Sequence, residues 1–179
     1  MTSASDFTTA WTWTISSVCN FFKTPASKLR MEQSKLLNEA IKSQVREVFT
    51  QLEQPVQVLF FGQETDCEYC NDTRQLAEEV TALSDKLQLE VYDLEGDEEI
   101  AQQYHVDKAP ALVFAARDGE AIQDYGIRMA GIPAGHEFNS LIHDLLLVSR
   151  RDSGLSQKTR DLLARLSKPV FLQVFVTPT

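Results

Sequence analysis

The chain has 179 residues, of which 43% are hydrophobic, and a formal net charge of −9 at pH 7. This length suits one domain with an appendage. The negative charge argues against binding to nucleic acids or to anionic membrane surfaces, because both attract basic protein surfaces. No apolar run in the sequence approaches the length that a bilayer requires.

The first thirty residues differ in composition from the rest. They are rich in Ser and Thr, contain few charges and lack the basic start of a secretory signal peptide. We expect residues 1–30 to form a poorly ordered extension in which Cys19 is a thiol without a partner. Met31, where the first regular helical pattern begins, is a candidate for the true start of the protein.

From Met31 onward, the spacing of apolar residues predicts regular elements. The first is a helix that Pro55 stops. Its apolar stripe consists of Leu37, Ile41, Val45, Val48 and Phe49. The apolar run 56–62 predicts a buried strand. A second helix is expected over 70–87, with apolar residues at helical spacing at Leu76, Val80, Leu83 and Leu87.

The second half of the pattern continues the alternation of strands and helices. Residues 88–94 predict a strand and residues 97–106 predict a short helix with acidic residues in its first turn. Two strand-like runs within 111–131 flank Asp118-Gly119 and predict a hairpin. A closing helix is expected over 133–150. Its apolar face consists of Phe138, Leu141, Leu145 and Val148.

This order predicts an α/β fold with a mixed sheet and helices on both faces. Two cysteines, Cys67 and Cys70, follow the first predicted strand with two residues between them. A C-x-x-C motif in that position is typical of a thioredoxin-like redox site.

Four segments carry a resemblance to a known family. They are the motif Cys67-Glu68-Tyr69-Cys70, "VDKAPALVF" at 106–114, "GIPAGHEF" at 131–138 and the stretch 154–179. In these the chain resembles the glutaredoxin-like protein disulfide oxidoreductases, which contain two thioredoxin-fold units in tandem. The resemblance implies a thioredoxin-like domain over 31–150 and the start of a truncated second unit over 151–179.

The resemblance also implies the chemistry. Cys67 is expected to attack a disulfide of a protein substrate, since a position before a helix N-terminus favours a thiolate, and Cys70 is expected to resolve the mixed disulfide. Asp66 and Glu68 place negative charge beside Cys67, which disfavours the thiolate and predicts a reducing pair. The family implies a cytoplasmic protein without a cofactor, supplied with electrons by a reductase of unknown identity.

The resemblance implies that Ala109 and Pro110 bind the substrate, and Tyr69, inside the cysteine motif, is a further candidate for substrate binding. The Ala109-Pro110 peptide bond is expected to be cis, whereas the alternative is a trans proline that starts a strand. Tyr69 either shapes the rim of the site or is an ordinary surface aromatic. The segment 131–135 departs from the glutathione-binding pattern of glutaredoxins, and its Pro and Gly residues are expected to set the start of the last helix.

Two other functions remain open from the sequence. Cys67 and Cys70 could bind zinc with the help of His105, His136 or His143, or hold a cluster that bridges two copies of the chain, although no second C-x-x-C pair is present. The domain could also be a redox-silent interaction module. Either alternative keeps the fold and changes the role of the cysteines.

The chain closes with a predicted helix over 155–167 and an almost wholly apolar strand over 170–176. Such a strand is suited to burial on both faces. We expect it to pair with a sheet edge, either in its own chain or in a second copy, in which case the protein is a homo-oligomer.

Overall fold

The computed structural model describes residues 35–176, so the expected extension over 1–30 and Cys19 lie outside the described residues. The helices are α1 (Glu39–Phe49), α2 (Cys70–Thr81), α3 (Glu98–Gln103), α4 (His136–Arg150) and α5 (Gln157–Leu163). The strands are β1 (Val56–Gly62), β2 (Leu87–Asp93), β3 (Ala111–Asp118) and β4 (Ala121–Ala130). None of the helices within residues 35 to 176 combines the length and the apolar composition of a membrane span.

The four strands form one mixed sheet, as predicted. Their order is β2-β1-β3-β4, with β1 parallel to β2 and antiparallel to β3, and β3 antiparallel to β4. Phe61, next to the end of β1, pairs with Ala111 at the start of β3. The end of β1 and the start of β3 therefore lie at the same end of the sheet.

Helices cover both faces of the sheet, which confirms the predicted architecture. Because successive side chains of a strand point to opposite faces, β1 contributes to two separate apolar clusters. Val58 and Phe60 belong to a cluster that includes residues of α1, α2 and α4. Leu59 and Phe61 belong to a second cluster with residues in and just after α3. All of β1 is buried, as expected for a central strand.

The first helix begins later than the helical pattern that starts at Met31. Within the described residues it begins at Glu39, because the Asn38 side chain accepts a hydrogen bond from the Ile41 N–H at 2.8 Å. A side-chain cap of this kind satisfies one of the free donors of a helix start and fixes the boundary. Leu37 is buried although it precedes the helix.

The prediction that the second helix continues to Leu87 is wrong. Helix α2 ends at Thr81, and Leu87 instead opens β2, opposite Val56 of β1. A turn separates them, in which Ser84 accepts hydrogen bonds from the N–H groups of Lys86 and Leu87. Ser and Asp favour such local hydrogen bonds over a continuing helix, so helical spacing of leucines alone overestimated the helix length.

The prediction that the C-terminal segment pairs with a sheet edge of its own chain is not met. Helix α5 covers Gln157–Leu163, inside the predicted range of 155–167. Residues 170–176 form no strand and pair with no strand of the described chain. Their apolar side chains are exposed, with Phe171 at 86%. Pairing with a second copy stays a prediction.

Candidate dithiol active site

The cysteine motif lies at the end of the sheet where β1 stops and β3 begins. A loop over 63–69 follows Gly62 and carries Cys67, and α2 begins at Cys70. Pro110 directly precedes β3, whose first residue lies opposite the next-to-last residue of β1. The fold thus brings the loop with Cys67 and the segment with Pro110 to one end of the sheet.

Cys67 and Cys70 are joined by a disulfide, with their Cα atoms 5.4 Å apart. Their exposures differ: Cys67 is partly exposed, whereas Cys70 is buried, with 7% of its surface accessible. A substrate can therefore reach the sulfur of Cys67 more readily than that of Cys70. This asymmetry is the one that an attacking and a resolving cysteine require.

The N-terminus of α2 faces this pair without a side-chain cap. Tyr69 occupies the N-cap position and its side chain makes no capping hydrogen bond, while its carbonyl accepts the first helical bond, from the Thr73 N–H at 2.9 Å. Uncapped N–H groups and the helix dipole favour negative charge at this end. The helix begins at Cys70 itself, so Cys67 precedes the helix by three positions.

The sulfur of Cys70 accepts a hydrogen bond from the backbone N–H of Gln63, at 3.3 Å. This contact depends on the end of β1 approaching the sulfur closely. A Cβ atom at Gly62 would lie 2.7 Å from Cε1 of Phe60 and 3.8 Å from Sγ of Cys70. Sequence analysis missed Gln63, although the glycine that ends the apolar run indicated a close approach.

The expected substrate-binding residues border the same end of the sheet. The Ala109-Pro110 peptide bond is cis, as the resemblance implies. The Pro110 carbonyl accepts a hydrogen bond from the Gly131 N–H at 2.8 Å, which ties this segment to the end of β4. Ala109 packs against the same apolar cluster as Cys67, and Tyr69 is 47% exposed.

The surface around Cys67 is acidic. Exposed carboxylates flank the motif at Glu64, Asp66, Glu68 and Asp72. None of the four forms an ion pair with a residue in the described range. Their charge is therefore not neutralised locally, and it disfavours an anion at the exposed sulfur while favouring a basic partner.

The structure does not support the zinc alternative. Within residues 35–176, no group of three or more His, Cys, Asp or Glu side chains is arranged to hold a metal ion. His105 follows α3, whereas His136 and His143 lie on α4, and none of them joins the cysteines in such a group.

As predicted, α4 begins directly after Gly135, which is its N-cap residue, with a φ of 62°.

Comparisons with known proteins agree with this geometry. No family model matches the chain. An NADH dehydrogenase of Bacillus subtilis is 28% identical over 144 residues, which are 80% of this chain and 25% of that protein. A protein disulfide oxidoreductase of Aeropyrum pernix superposes with a TM-score of 0.63 and 28% identity, over 72% of this chain and 55% of that one.

The alkyl hydroperoxide reductase protein AhpF of Enterococcus faecalis superposes with a TM-score of 0.65 and 26% identity, over 74% of this chain and 62% of that one. The thioredoxin-like fold and the resemblance to tandem thioredoxin-fold disulfide oxidoreductases are thereby confirmed. The chain spans about a quarter of the length of the curated relatives that it matches over 144 residues.

Proposed function

We propose that this chain, a thioredoxin-like protein similar to protein disulfide oxidoreductases, exchanges disulfides with protein substrates through Cys67 and Cys70. The observation that carries the proposal is the disulfide between a partly exposed and a buried cysteine at an uncapped helix N-terminus. That combination lets one sulfur meet a substrate and keeps the other for the internal step.

In the reducing direction, the thiolate of Cys67 attacks one sulfur of a substrate disulfide. The substrate S–S bond breaks, a mixed disulfide forms between Cys67 and the substrate, and the other substrate sulfur leaves as a thiolate. Cys70, already within disulfide distance in the oxidised protein, then attacks Cys67 and releases the reduced substrate. In the oxidising direction the same steps run in reverse.

Tyr69, Ala109 and Pro110 would contact the substrate chain beside the reacting sulfur. The exposure of Tyr69 and the position of Ala109-Pro110 at the same end of the sheet as the loop 63–69 support this assignment. The unpaired carboxylates around the motif favour substrates with Lys or Arg near the disulfide. A cytoplasmic setting, with a separate reductase as the electron donor, fits this function.

The proposal is tested by reducing insulin disulfides with dithiothreitol in the presence of the protein and its cysteine variants. Cys67→Ser should abolish the acceleration, because it removes the partly exposed sulfur of the dithiol. Cys70→Ser, reduced first and then mixed with insulin in the absence of dithiothreitol, should accumulate a mixed disulfide between Cys67 and insulin, detectable as a mass increase that a reductant removes. Cys19→Ser, which changes the cysteine outside the motif, is the matched control and should act as the unmodified protein.

If Cys67→Ser accelerates insulin reduction as well as the unmodified protein does, the proposed function is wrong. A protein that binds partners equally well with and without its cysteines would instead be a redox-silent interaction module.

A further inference from the structure

The buried sulfur of Cys70 already accepts one hydrogen bond in the oxidised protein. The Gln63 N–H points to Sγ of Cys70 at 3.3 Å, and Cys70 is almost completely buried. In the oxidised protein this sulfur is neutral. After reduction it must become a thiolate before it can attack, and burial disfavours that charge.

A second polar group lies one helical turn away without a partner. Thr73 is fully buried, and its Oγ1 makes no hydrogen bond within the described residues. A helical threonine usually satisfies its hydroxyl on a carbonyl three or four residues earlier. Thr81 on the same helix does so, with its hydroxyl 2.7 Å from the Ala77 carbonyl.

Position and chemistry connect Thr73 with Cys70. Residues three apart on a helix share a face, with Cβ atoms about 5–6 Å apart. An unsatisfied buried hydroxyl is unfavourable in the state in which it is seen, which suggests that it serves another state. Reduction frees Sγ of Cys70 from Cys67 and creates an acceptor on the same helix face.

We propose that the Thr73 hydroxyl and the Gln63 backbone amide are positioning groups that donate hydrogen bonds to the Cys70 thiolate while it resolves the mixed disulfide. This inference rests on the proposed function. In the step concerned, the Cys70 thiol first loses its proton to water. Its thiolate attacks Sγ of Cys67, a Cys67–Cys70 disulfide forms, and the bond from Cys67 to the substrate breaks. The electron pair leaves on the substrate sulfur, which takes up a proton from water.

The charges around Cys70 make such donors useful. On the loop before α2, on α2 itself, in the turn after β2 and just before Pro110, the charged groups are Glu64, Asp66, Glu68, Asp72, Arg74, Glu78, Glu79, Glu95, Asp97, Asp107 and Lys108. Glu79 pairs with Lys42 of α1. Lys108 pairs with Asp107 and Arg74 with Glu78. The remaining groups are negative and disfavour a second negative charge. Stabilisation of the thiolate therefore depends on neutral donors, of which the Gln63 N–H already contacts the sulfur.

The test separates the two chemical steps with 5,5′-dithiobis(2-nitrobenzoate), in a Cys19→Ser background that leaves only the dithiol. Cys67 releases one coloured thiolate when it forms the mixed disulfide, and attack by Cys70 releases a second. Stopped-flow absorbance follows both phases as a function of pH. The matched variants are Thr73→Val, which keeps the shape, Thr73→Ser, which keeps the hydroxyl, and Thr81→Val on the same helix.

In Thr73→Val, the pH midpoint of the second phase should rise by about one unit, so that its rate near pH 7 falls about tenfold. The first phase should keep its rate. Thr73→Ser should restore the second phase, and Thr81→Val should leave both phases unchanged. If the second phase of Thr73→Val keeps its midpoint, or if Thr73→Ser is as slow as Thr73→Val, the inference is overturned.

Replacement of the Gln63 amide by an ester, through incorporation of the α-hydroxy analogue, gives an independent measurement if Thr73→Val does not fold. It should shift the second phase in the same direction, and an unchanged midpoint would contradict the role of the amide. The two proposals fail on different results. If Cys67 of the unmodified protein releases no coloured thiolate, the proposed function is wrong. If the unmodified protein shows both phases and the variants leave the pH midpoint of the second phase unchanged, only this inference is rejected.

Discussion

The hydroxyl of Ser149 donates a hydrogen bond to the carbonyl of Gln54 at 2.6 Å and accepts one from the N–H of the same residue at 2.9 Å. It also accepts a hydrogen bond from the Glu53 N–H at 2.8 Å. Ser149 is fully buried at the end of α4. One side chain thus fastens the closing helix to the segment that leads into β1.

Ser149→Ala should destabilise the protein by about 1–3 kcal/mol, because it leaves the partly buried backbone groups of Glu53 and Gln54 without partners. The free energy of unfolding from urea titrations measures the loss. Ser140→Ala, at an exposed position of the same helix, is the control and should change stability by less than about 0.5 kcal/mol. Equal effects of the two substitutions would show that the hydrogen bonds contribute little.

Glu79 on α2 makes stability depend on acid pH. Its side chain forms an ion pair with the Lys42 ammonium of α1 at 2.9 Å and accepts the N–H groups of Leu36 and Leu37. Burial raises the pKa of Glu79, but hydrogen bonds from Gln75, Lys42 and these two N–H groups outweigh it and lower the pKa from 4.5 to about 2.

Because the pKa is lower in the folded protein, ionised Glu79 contributes its full stabilisation above about pH 4.5 and loses it as the pH falls toward 2. The difference in unfolding free energy between the unmodified protein and Glu79→Gln should therefore shrink by up to about 3 kcal/mol between pH 5.5 and 2. The neighbouring surface substitution Glu78→Gln serves as the control. A difference that stays constant with pH would contradict the assignment.

Neutralising the acidic neighbours of Cys67 should make the pair more oxidising. Asp66→Asn with Glu68→Gln removes two exposed negative charges that disfavour the thiolate of the reduced form, and Asn tolerates the positive φ of 56° at position 66. The reduction potential should rise by about 10–40 mV, measured by equilibration with glutathione redox buffers. High salt should reduce this difference, whereas Glu120→Gln on the hairpin turn should leave the potential unchanged.

The exposed segment 170–176 should make the protein associate. Its six apolar side chains expose 61–86% of their surface, and such a run can add to the sheet edge of a second copy. Light scattering should give a higher mass for the intact chain than for a version that ends at Arg150, beyond the mass of the deleted residues. A monomeric mass for the intact chain would contradict the prediction that segment 170–176 causes association.

The strongest sequence signals gave the correct elements because local pattern and burial coincide there. The run 56–62 is apolar almost throughout and is buried throughout, and Leu141, Leu145 and Val148 all face the core. The helical spacing of the leucines in 76–87 predicted one long helix, although these leucines belong to two different elements. Leu76 packs from α2, whereas Leu87 packs from β2.

Only those parts of the candidate site that depend on particular residue types could be predicted from the sequence. Cys67 and Cys70 were visible in the sequence, but the partners of the buried sulfur were not. Gln63 acts through its backbone N–H, which every residue except proline possesses, and Thr73 is distinguished by a hydrogen bond that it does not make. Neither property depends on a recognisable residue type, and the only sequence signal for the first is Gly62, which allows the close approach to Cys70.

The burial of β1 has a consequence for how the molecule opens to solvent. Its seven residues are buried and lie between two hydrogen-bonded neighbours, so their amide hydrogens exchange with solvent only when the whole domain opens. The loop 63–69 continues directly from this strand and is largely exposed. We therefore expect Cys67 and Cys70 to lie at a boundary between the slowly exchanging amides of β1 and the faster-exchanging amides of the exposed loop, so that opening the disulfide can rearrange the loop while the strand keeps its hydrogen bonds.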